Sequence, residues 1–268
     1  MARKSRLAKS RQRSNLLWGL IALTLVSAVM GAAAWWWHQR QPTIDPVTLC
    51  PLSGPKGHTI LLVDKTDPLN LAQKAAFDLL ISDLVDRKTP KGYLLSIFVL
   101  GDDFKANATP LVELCNPGDD AGHSDLTENT KQLRRQYKEK FIKPVFDQTE
   151  QLLGIAPANE SPILEMLQMV SLTSLQKHHF DGPKKLIVMT DLMQNSKQLS
   201  LYKGVPDFER FSDTAYAQKT KILFQDVDVH IDLLQNAPTL QKQSLLDFWR
   251  QYFKKAGATS VEIVALPG

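Results

Sequence analysis

The sequence contains few of the residues that define specialised protein classes. It has two cysteines, 13 glycines and 15 prolines among 268 residues, and no internal repeat or low-complexity tract. These counts exclude collagen-like chains and disulfide-dense miniproteins, and no cysteine or histidine stands at zinc-finger spacing. The sequence also lacks the G-x-S-x-G nucleophile elbow, the H-E-x-x-H zinc helix and the G-x-x-x-x-G-K-[ST] phosphate loop. An ordinary folded chain without a known catalytic signature remains.

Positive charge is concentrated at the N-terminus. Residues 1–14 carry six basic side chains and no acidic one, which leaves 26 basic against 28 acidic side chains in residues 15–268. A body with this balance does not bind polyanions through its charge. The basic arm could itself contact nucleic acid, but it directly precedes an apolar run, so membrane topology or attraction to anionic lipid is the simpler interpretation. We therefore predict no nucleic-acid partner.

Residues 15–37 form an uncharged run of 23 residues, bordered by Trp18 and by the three tryptophans at 35–37. At about 1.5 Å per residue such a helix spans the hydrocarbon core, and tryptophan favours the membrane interface. Only Arg40 is basic in the 15 residues that follow, so the excess of positive charge places the N-terminus in the cytoplasm. The resulting organisation has four parts: a cytoplasmic basic arm 1–14, a transmembrane helix 15–37, a linker 38–57 and an extracytoplasmic domain 58–268.

A cleaved signal peptide is the alternative to a membrane anchor, because Ala32–Ala34 offers an A-x-A cleavage site. The apolar run is longer than the roughly 7–15 residues of a signal-peptide core and ends in tryptophans, which favours the anchor. Single-pass insertion with an external domain suits the periplasmic face of a bacterial inner membrane. A membrane of the secretory pathway would give the same pattern.

Cys50 and Cys115 both lie on the predicted external side, where an oxidising compartment allows thiols to pair. We predict a disulfide between them, which would close a long loop and stabilise the domain by roughly 2–4 kcal/mol. Two buried free thiols are the alternative that the sequence leaves open.

The external region alternates strand and helix patterns. Continuous apolar runs at 59–63, 94–100 and 185–191 are typical of buried strands, and further strands are predicted at 110–115, 227–234 and 260–266. Helical periodicity occurs at 70–87, from 125 to about 153, after 161 and at 241–256. The order predicts an α/β fold with a doubly wound, mostly parallel central sheet and helices on both faces, preceded by one transmembrane helix. In such sheets, ligands bind beyond the carboxyl ends of the strands.

Polar residues follow two of these strands and precede one helix. Asp64, Thr66 and Asp67 follow the first strand, and Thr190 with Asp191 ends the fourth. Ser161 is predicted to cap a helix that has Pro162 in its first turn. Together these motifs resemble the von Willebrand factor A (vWA) domain family, whose D-x-S-x-S loop, threonine and T-D-G aspartate coordinate a divalent cation. The element order extends this resemblance over about residues 57–268.

The resemblance implies a cation site formed by Asp64, Thr66, Ser161 and Asp191, holding Mg²⁺ or else Mn²⁺ or Ca²⁺. Two positions depart from the family pattern: Pro68 replaces the second hydroxyl of the first loop, and Leu192 replaces the glycine after the last aspartate. Because the lost hydroxyl removes an oxygen ligand, Asp67 or a water would have to substitute. A degenerate site held together by hydrogen bonds, without a cation, is the alternative.

Function follows from the same resemblance, which implies protein recognition, often through an acidic residue of the partner that completes the cation's coordination. We therefore expect a membrane-anchored adaptor, receptor or assembly subunit without catalytic residues. A metal-dependent hydrolase or transferase at the same edge is the alternative, and it would need a general base from Asp67, Glu160 or a loop residue. A structural envelope component with a vestigial site is the third possibility.

Overall fold

The structure is a computed structural model that describes residues 18–36, 44–119, 130–154, 158–178 and 181–266. The chain divides into two compact units, Met1–Thr43 and Ile44–Gly268. The predicted basic arm 1–14, the ends of the predicted span and residues 38–43 of the predicted linker lie outside the described residues. In the first unit, helix α1 (Trp18–Trp36) has 19 residues, is exposed along its length, and is long and apolar enough to cross a membrane.

Six strands form the central sheet of the second unit. They are β1 (His58–Asp64), β2 (Leu94–Leu100), β3 (Val112–Cys115), β4 (Lys184–Thr190), β5 (Val227–Leu233) and β6 (Ser260–Ala265). Their spatial order is β3-β2-β1-β4-β5-β6, and every pairing is parallel except that of β2 with β3. The chain winds outward from β1 in one direction and from β4 in the other. The winding therefore reverses between these two adjacent central strands, at the point where doubly wound sheets bind ligands.

The larger helices of this unit are α2 (Leu71–Asp83), α3 (Thr130–Gln136), α4 (Lys143–Glu150), α5 (Ile163–Val170) and α8 (Gln243–Lys255). Two short helices, α6 (Phe208–Ser212) and α7 (Ala215–Lys219), lie between β4 and β5. Three helical stretches contain a π-helical turn: Leu84–Lys88 after α2, Tyr137–Ile142 between α3 and α4, and Ser171–Leu175 after α5.

Buried side chains cover both faces of the sheet. One core packs α5, α6 and α8 against the face that carries Ile60, Phe98 and Leu186. The other packs α2 and the helical segment 137–150 against the face that carries Leu61 and Ile187. Because both faces of β1, β2 and β4 are covered, these strands are continuously apolar in sequence. The predicted doubly wound α/β fold is therefore present.

Residues 44–57, which the sequence analysis assigned to the linker, are part of the second compact unit. Cys50 forms a disulfide with Cys115 of β3, and the Cys115 amide donates to the Thr48 carbonyl at 2.7 Å. Leu49 is buried against the α2 side of the core. The Pro and Gly content of this segment suggested a linker because composition does not register a covalent and hydrogen-bonded attachment to a distant strand.

Candidate functional site

Two aspartates meet at the carboxyl edge of the sheet because β1 and β4 are parallel neighbours. Val63 pairs with Met189, so Asp64 at the end of β1 and Asp191 directly after β4 lie side by side where the winding reverses. Each side chain is only 4% exposed. The sequence therefore places two acidic groups in a region where ionised carboxylates are poorly solvated.

Hydroxyl and amide donors surround the Asp64 carboxylate. The Thr66 hydroxyl donates to Oδ1 at 2.6 Å, and the Thr66 amide donates to the same oxygen at 3.0 Å. The Thr190 hydroxyl donates to Oδ2 at 2.7 Å, and the Ser161 hydroxyl lies 3.5 Å from it. Burial raises the pKa of Asp64, and the hydrogen bonds from Thr66 and Thr190 oppose that rise.

Asp191 has fewer compensating donors. Its Oδ1 accepts from the Met193 amide at 2.9 Å, and its carboxyl shares a side-chain hydrogen bond with Asp67. Burial raises the pKa of Asp191 to about 8, and the charge of Asp64 adds to the rise. Since a hydrogen bond between two carboxyls needs one proton, this arrangement holds that proton near neutral pH.

Ser161 reaches the site in a different way from the one predicted. It was expected to cap the following helix, but α5 begins after Pro162 and has no side-chain cap. Instead Ser161 and Asn195 pair through their backbones, each amide donating to the other's carbonyl at 2.8 Å. This bridge fixes the Ser161 hydroxyl beside Asp64. The prediction that the S-P sequence is a helix cap was wrong, although Ser161 does lie next to Asp64.

Several contacts of the site were not identified from the sequence. Thr190 donates to Asp64, and Gln241 donates from Nε2 to the Asp191 carbonyl at 2.8 Å. Tyr202 borders the acidic group, and burial together with the charges of Asp191, Asp67 and Asp64 raises its pKa to about 12. Thr190 was grouped with Asp191 from the sequence, but its hydrogen bond to Asp64 was not foreseen. Tyr202 lies in the short 3₁₀ helix Leu201–Lys203 and Gln241 in a loop, and no local pattern predicts where either segment runs in the fold.

A polar cleft of about 470 Å³ adjoins the acidic group. It is lined by Asp67, Asn70, Gln73, Tyr202 and Asn236, among others. The Gln73 side chain donates from Nε2 to Oδ1 of Asn236 at 2.9 Å. Nδ2 of Asn236 in turn lies 3.4 Å from the Asp67 carboxylate. These bonds connect the loops after β1 and β5, so the cleft is a defined polar surface.

The potential metal ligands that converge here are oxygen atoms of carboxylates and hydroxyls, the ligand type that Mg²⁺ and Ca²⁺ prefer. In this respect the residues fit a hard divalent cation, which would also relieve the repulsion between Asp64 and Asp191. Among the residues that the structure describes, however, no three His, Cys, Asp or Glu side chains are grouped so that they could hold a metal ion. A cation at this edge would therefore need the hydroxyls of Thr66 and Ser161, and water, in addition to the two aspartates.

Known proteins give structural likeness but no sequence match. No family model and no curated protein sequence matches the chain. The SpRpn10 VWA domain is similar over 79% of this chain and 89% of that one, with 11% identity and a TM-score of 0.38. The human COPII-coat protein Sec24c is similar over 79% of this chain and 30% of its own, with 14% identity and a TM-score of 0.39.

A third similar structure is an aerotolerance-related membrane protein from Bacteroides fragilis NCTC 9343. It covers 77% of this chain and 91% of its own, with 9% identity and a TM-score of 0.31. A vWA domain is thus among the solved structures that this chain resembles, as the sequence motifs predicted. The likeness concerns the fold.

Proposed function

We propose that the chain is a membrane-anchored protein-binding module whose external vWA-like domain captures a partner protein at the carboxyl edge of its sheet. The convergence of buried Asp64 and Asp191, beside a polar cleft at the point where the winding reverses, supports this proposal. Loops at this point of doubly wound folds are the usual site of ligand binding. The apolar helix α1, preceded by six basic residues, supports a single-pass anchor with a cytoplasmic N-terminus and a periplasmic domain.

The proposed mechanism includes a divalent cation, with Mg²⁺ first. Asp64, Asp191, Thr66 and Ser161 would hold it, and Asp67 would take the place of the hydroxyl lost at Pro68. The cation would supply a positive centre that attracts an acidic side chain of the partner. The chain's own residues orient the carboxylates: Thr190 fixes Asp64, while Gln241 and the Met193 amide fix the loop of Asp191.

Recognition requires no general base, so the proposal assigns this edge to binding and names no catalytic residue. Asp67, the nearest acidic candidate for a base, is hydrogen-bonded to the Asp191 carboxyl and contacts Asn236. Those contacts favour a positioning role for Asp67 over proton transfer to a substrate.

Cation titration tests the proposal directly. The full chain in lipid nanodiscs, stripped with EDTA, would be titrated with Mg²⁺, Mn²⁺ and Ca²⁺ while calorimetric heat and thermal unfolding are measured. Saturable heat is expected, with a stabilisation that reaches about 2.7 kcal/mol at a hundredfold excess over the dissociation constant. The Asp64→Asn/Asp191→Asn variant should lose both responses, whereas Asp78→Asn on the exposed face of α2 should retain them.

Partner capture gives the second arm of the test. Photo-crosslinking from a probe placed at Tyr202 should yield a protein adduct in membranes, reduced in the Asp64→Asn/Asp191→Asn variant and by EDTA. Cation binding without any adduct would leave a metal site but contradict recognition at this edge. An adduct that forms equally with EDTA and in the variant would remove the cation from the mechanism while leaving a binding module. Absence of both cation binding and a crosslinked adduct would favour a structural component with a vestigial site.

A further inference from the structure

A second concave site lies at the C-terminal end of α8. It is a cavity of about 100 Å³ that is open to solvent. Its lining includes Phe208 and Phe211 of α6, Ile222, Tyr252 of α8, and Ala256, the C-cap of α8. Gln241, just before α8, contacts Asp191, so the length of a 13-residue helix, about 20 Å, separates this cavity from the acidic edge. The two sites are independent in position and in charge.

The interior of the cavity is apolar because the hydroxyl of Tyr252 is already hydrogen-bonded to the protein. The Tyr252 hydroxyl donates to the Thr220 carbonyl at 2.8 Å, so its ring presents only carbon to the cavity. The Phe211 ring packs against Phe248, with ring centroids 5.0 Å apart, which fixes α6 against α8. The other uncharged polar side chains of the lining are bonded as well, since the Ser212 hydroxyl donates to the Glu209 carbonyl and the Gln218 side chain donates to the Ser212 carbonyl.

Both charged groups that line the cavity are positive. Lys221 and Lys255 are exposed at its rim, and no carboxylate lines it. The Lys255 ammonium lies 5.9 Å from the centroid of the Phe208 ring. Across the residues that the structure describes, neither lysine has an ion-pair partner. Asp207 and Glu209, the acidic residues of α6, are not part of the lining.

Size distinguishes the classes of occupant. Pockets for drug-sized ligands usually measure roughly 300–1,000 Å³, whereas a dry cavity of about 150 Å³ accepts a single benzene ring. A cavity of about 100 Å³ matches one apolar side chain. Single apolar side chains that enter rigid pockets are the usual anchors of protein interfaces.

We propose that this cavity is a docking site for an acidic segment of a partner protein, which inserts one apolar or aromatic side chain while flanking carboxylates pair with Lys221 and Lys255. The anchor supplies buried apolar area, and the lysines select segments with carboxylates next to it. This site is separate from the proposed edge around Asp64 and needs no cation.

A fluorine-labelled peptide would test the docking site. The probe is acetyl-Asp-(4-fluoro-Phe)-Asp-amide, titrated with the full chain in nanodiscs in EDTA while broadening of the ¹⁹F signal is measured. Saturable broadening is expected, weakened by added salt. The analogue with Asn in place of both Asp residues should bind about fivefold more weakly, and so should the peptide to the Lys221→Gln/Lys255→Gln variant.

Controls separate this site from general charge attraction. Lys138→Gln/Lys140→Gln removes two exposed lysines elsewhere and should leave binding unchanged. Ala217→Met fills the cavity and should abolish binding; if it lowers the melting midpoint, the lysine variant, which changes only exposed groups, still decides. No broadening at millimolar peptide, or equal broadening with the Lys221→Gln/Lys255→Gln variant, would overturn the proposal. Equal affinity for free 3-phenylpropionate would overturn its assignment to a protein partner.

Because the site needs no cation, its outcome does not depend on the test of the Asp64 edge. Peptide binding in EDTA that the Asp64→Asn/Asp191→Asn variant retains would support two separate contact surfaces. Loss of peptide binding in that variant, with folding intact, would place the peptide at the acidic edge and contradict the docking site.

Discussion

At the residue scale, the backbone of Leu192 is unusual. Its φ of 62° lies in the left-handed region that favours glycine, at the position directly after Asp191. A non-glycine residue there costs roughly 1–2 kcal/mol, so surrounding contacts must hold the conformation. The Leu192 side chain is buried in the core on the α8 side, and the Trp249 indole donates to its carbonyl at 2.9 Å. The Leu192 amide also donates to the Thr190 hydroxyl at 3.0 Å, and its carbonyl also accepts from the Gln194 amide at 3.1 Å. The chain therefore reaches the glycine-like turn without glycine, by means of packing and these hydrogen bonds.

Trp249→Phe tests this account. The variant keeps an aromatic ring in the core but removes the indole donor, which leaves the Gln194 amide at 3.1 Å as the remaining donor to the buried Leu192 carbonyl, so the free energy of unfolding should fall by roughly 0.5–1.5 kcal/mol. Urea unfolding of the full chain in detergent, followed by pulse proteolysis, would measure it. A change below about 0.5 kcal/mol, the usual range of surface substitutions, would mean that the hydrogen bond does not hold the turn.

Two histidines of the sheet have opposite environments. His58 is 1% exposed and bonds through Nε2 to the Ser96 hydroxyl at 2.9 Å, and burial lowers its pKa to about 3. His230 lies between Asp232 at 3.3 Å and Glu262 at 3.0 Å. Its hydrogen bond with Asp232 contributes most to raising its pKa. His230 is therefore a hydrogen-bonded histidine of β5.

These shifts predict opposite pH dependences. Between pH 6.5 and 3, His58 is protonated in the unfolded chain but neutral in the folded protein. The His58 contribution to stability is therefore lost as the pH falls. His230 contributes stability below pH 6.5 that is lost as pH rises through its folded pKa. The stability of the wild type relative to His58→Gln should fall between pH 7 and 4.5 by on the order of 2 kcal/mol.

His230→Gln is the matched variant, and the stability of the wild type relative to it should change in the opposite direction over the same pH range. Unfolding in EDTA at several pH values would measure both differences. Parallel trends for the two variants would contradict these environments. For His58, taking the difference cancels the Asp191 titration, because His58 and Asp191 lie at opposite ends of the paired strands β1 and β4.

At the element scale, burial explains how much could be predicted. The predicted strands at 94–100, 185–191 and 227–234 agree with β2, β4 and β5 to within a residue at each end. β2 and β4 are apolar on both faces, while β5 alternates apolar with polar residues, and both patterns are typical of strands. The edge strand predicted at 110–115 is shorter, at 112–115, since its pattern is mixed with turn residues. The periodicity of the apolar residues and the length of each run were enough to predict these strands.

Other features depend on contacts between distant segments. The π-helical turns after α2 and α5 do not change the spacing of apolar residues enough to be visible in sequence. Asp64, Thr66 and Asp191 were located because each directly follows or ends a predicted strand. Tyr202, Gln241 and the Ser161–Asn195 bridge were missed because they depend on the folded paths of loops.

The disulfide gives a prediction at this scale. It links residues separated by 65 positions and encloses β1, α2 and β2. Cys50→Ala/Cys115→Ala should lower the free energy of unfolding by about 2–4 kcal/mol, chiefly by freeing the unfolded chain. Urea midpoints of the variant and of the dithiothreitol-treated wild type should agree. A variant as stable as the oxidised wild type would show that the cross-link adds nothing to backbone pairing near Cys115.

At the scale of the whole molecule, the proposed topology predicts which thiols can be labelled from outside. Since the native cysteines are bonded to each other, an introduced cysteine is the reactive one. In bacterial spheroplasts, a membrane-impermeant maleimide should label Asp102→Cys and should label Ser5→Cys only after permeabilisation. The reverse pattern would invert the orientation, and a mature chain lacking residue 5 would indicate a cleaved signal peptide.

The position of the disulfide also bears on mechanical load. In the proposed topology, chain leaving the membrane enters the second compact unit at Ile44 and is joined to β3 through Cys50 before it reaches β1. A bound partner that moves away from the membrane would thus pull on an edge strand through the covalent cross-link and on a central strand through the backbone. While the bond is intact, residues 51–114 cannot be extended by force between the termini. Reducing the disulfide would allow residues 51–114 to extend, which adds about 220 Å to the length that the chain can reach under force. The redox state of this one bond therefore sets how far the chain can be stretched.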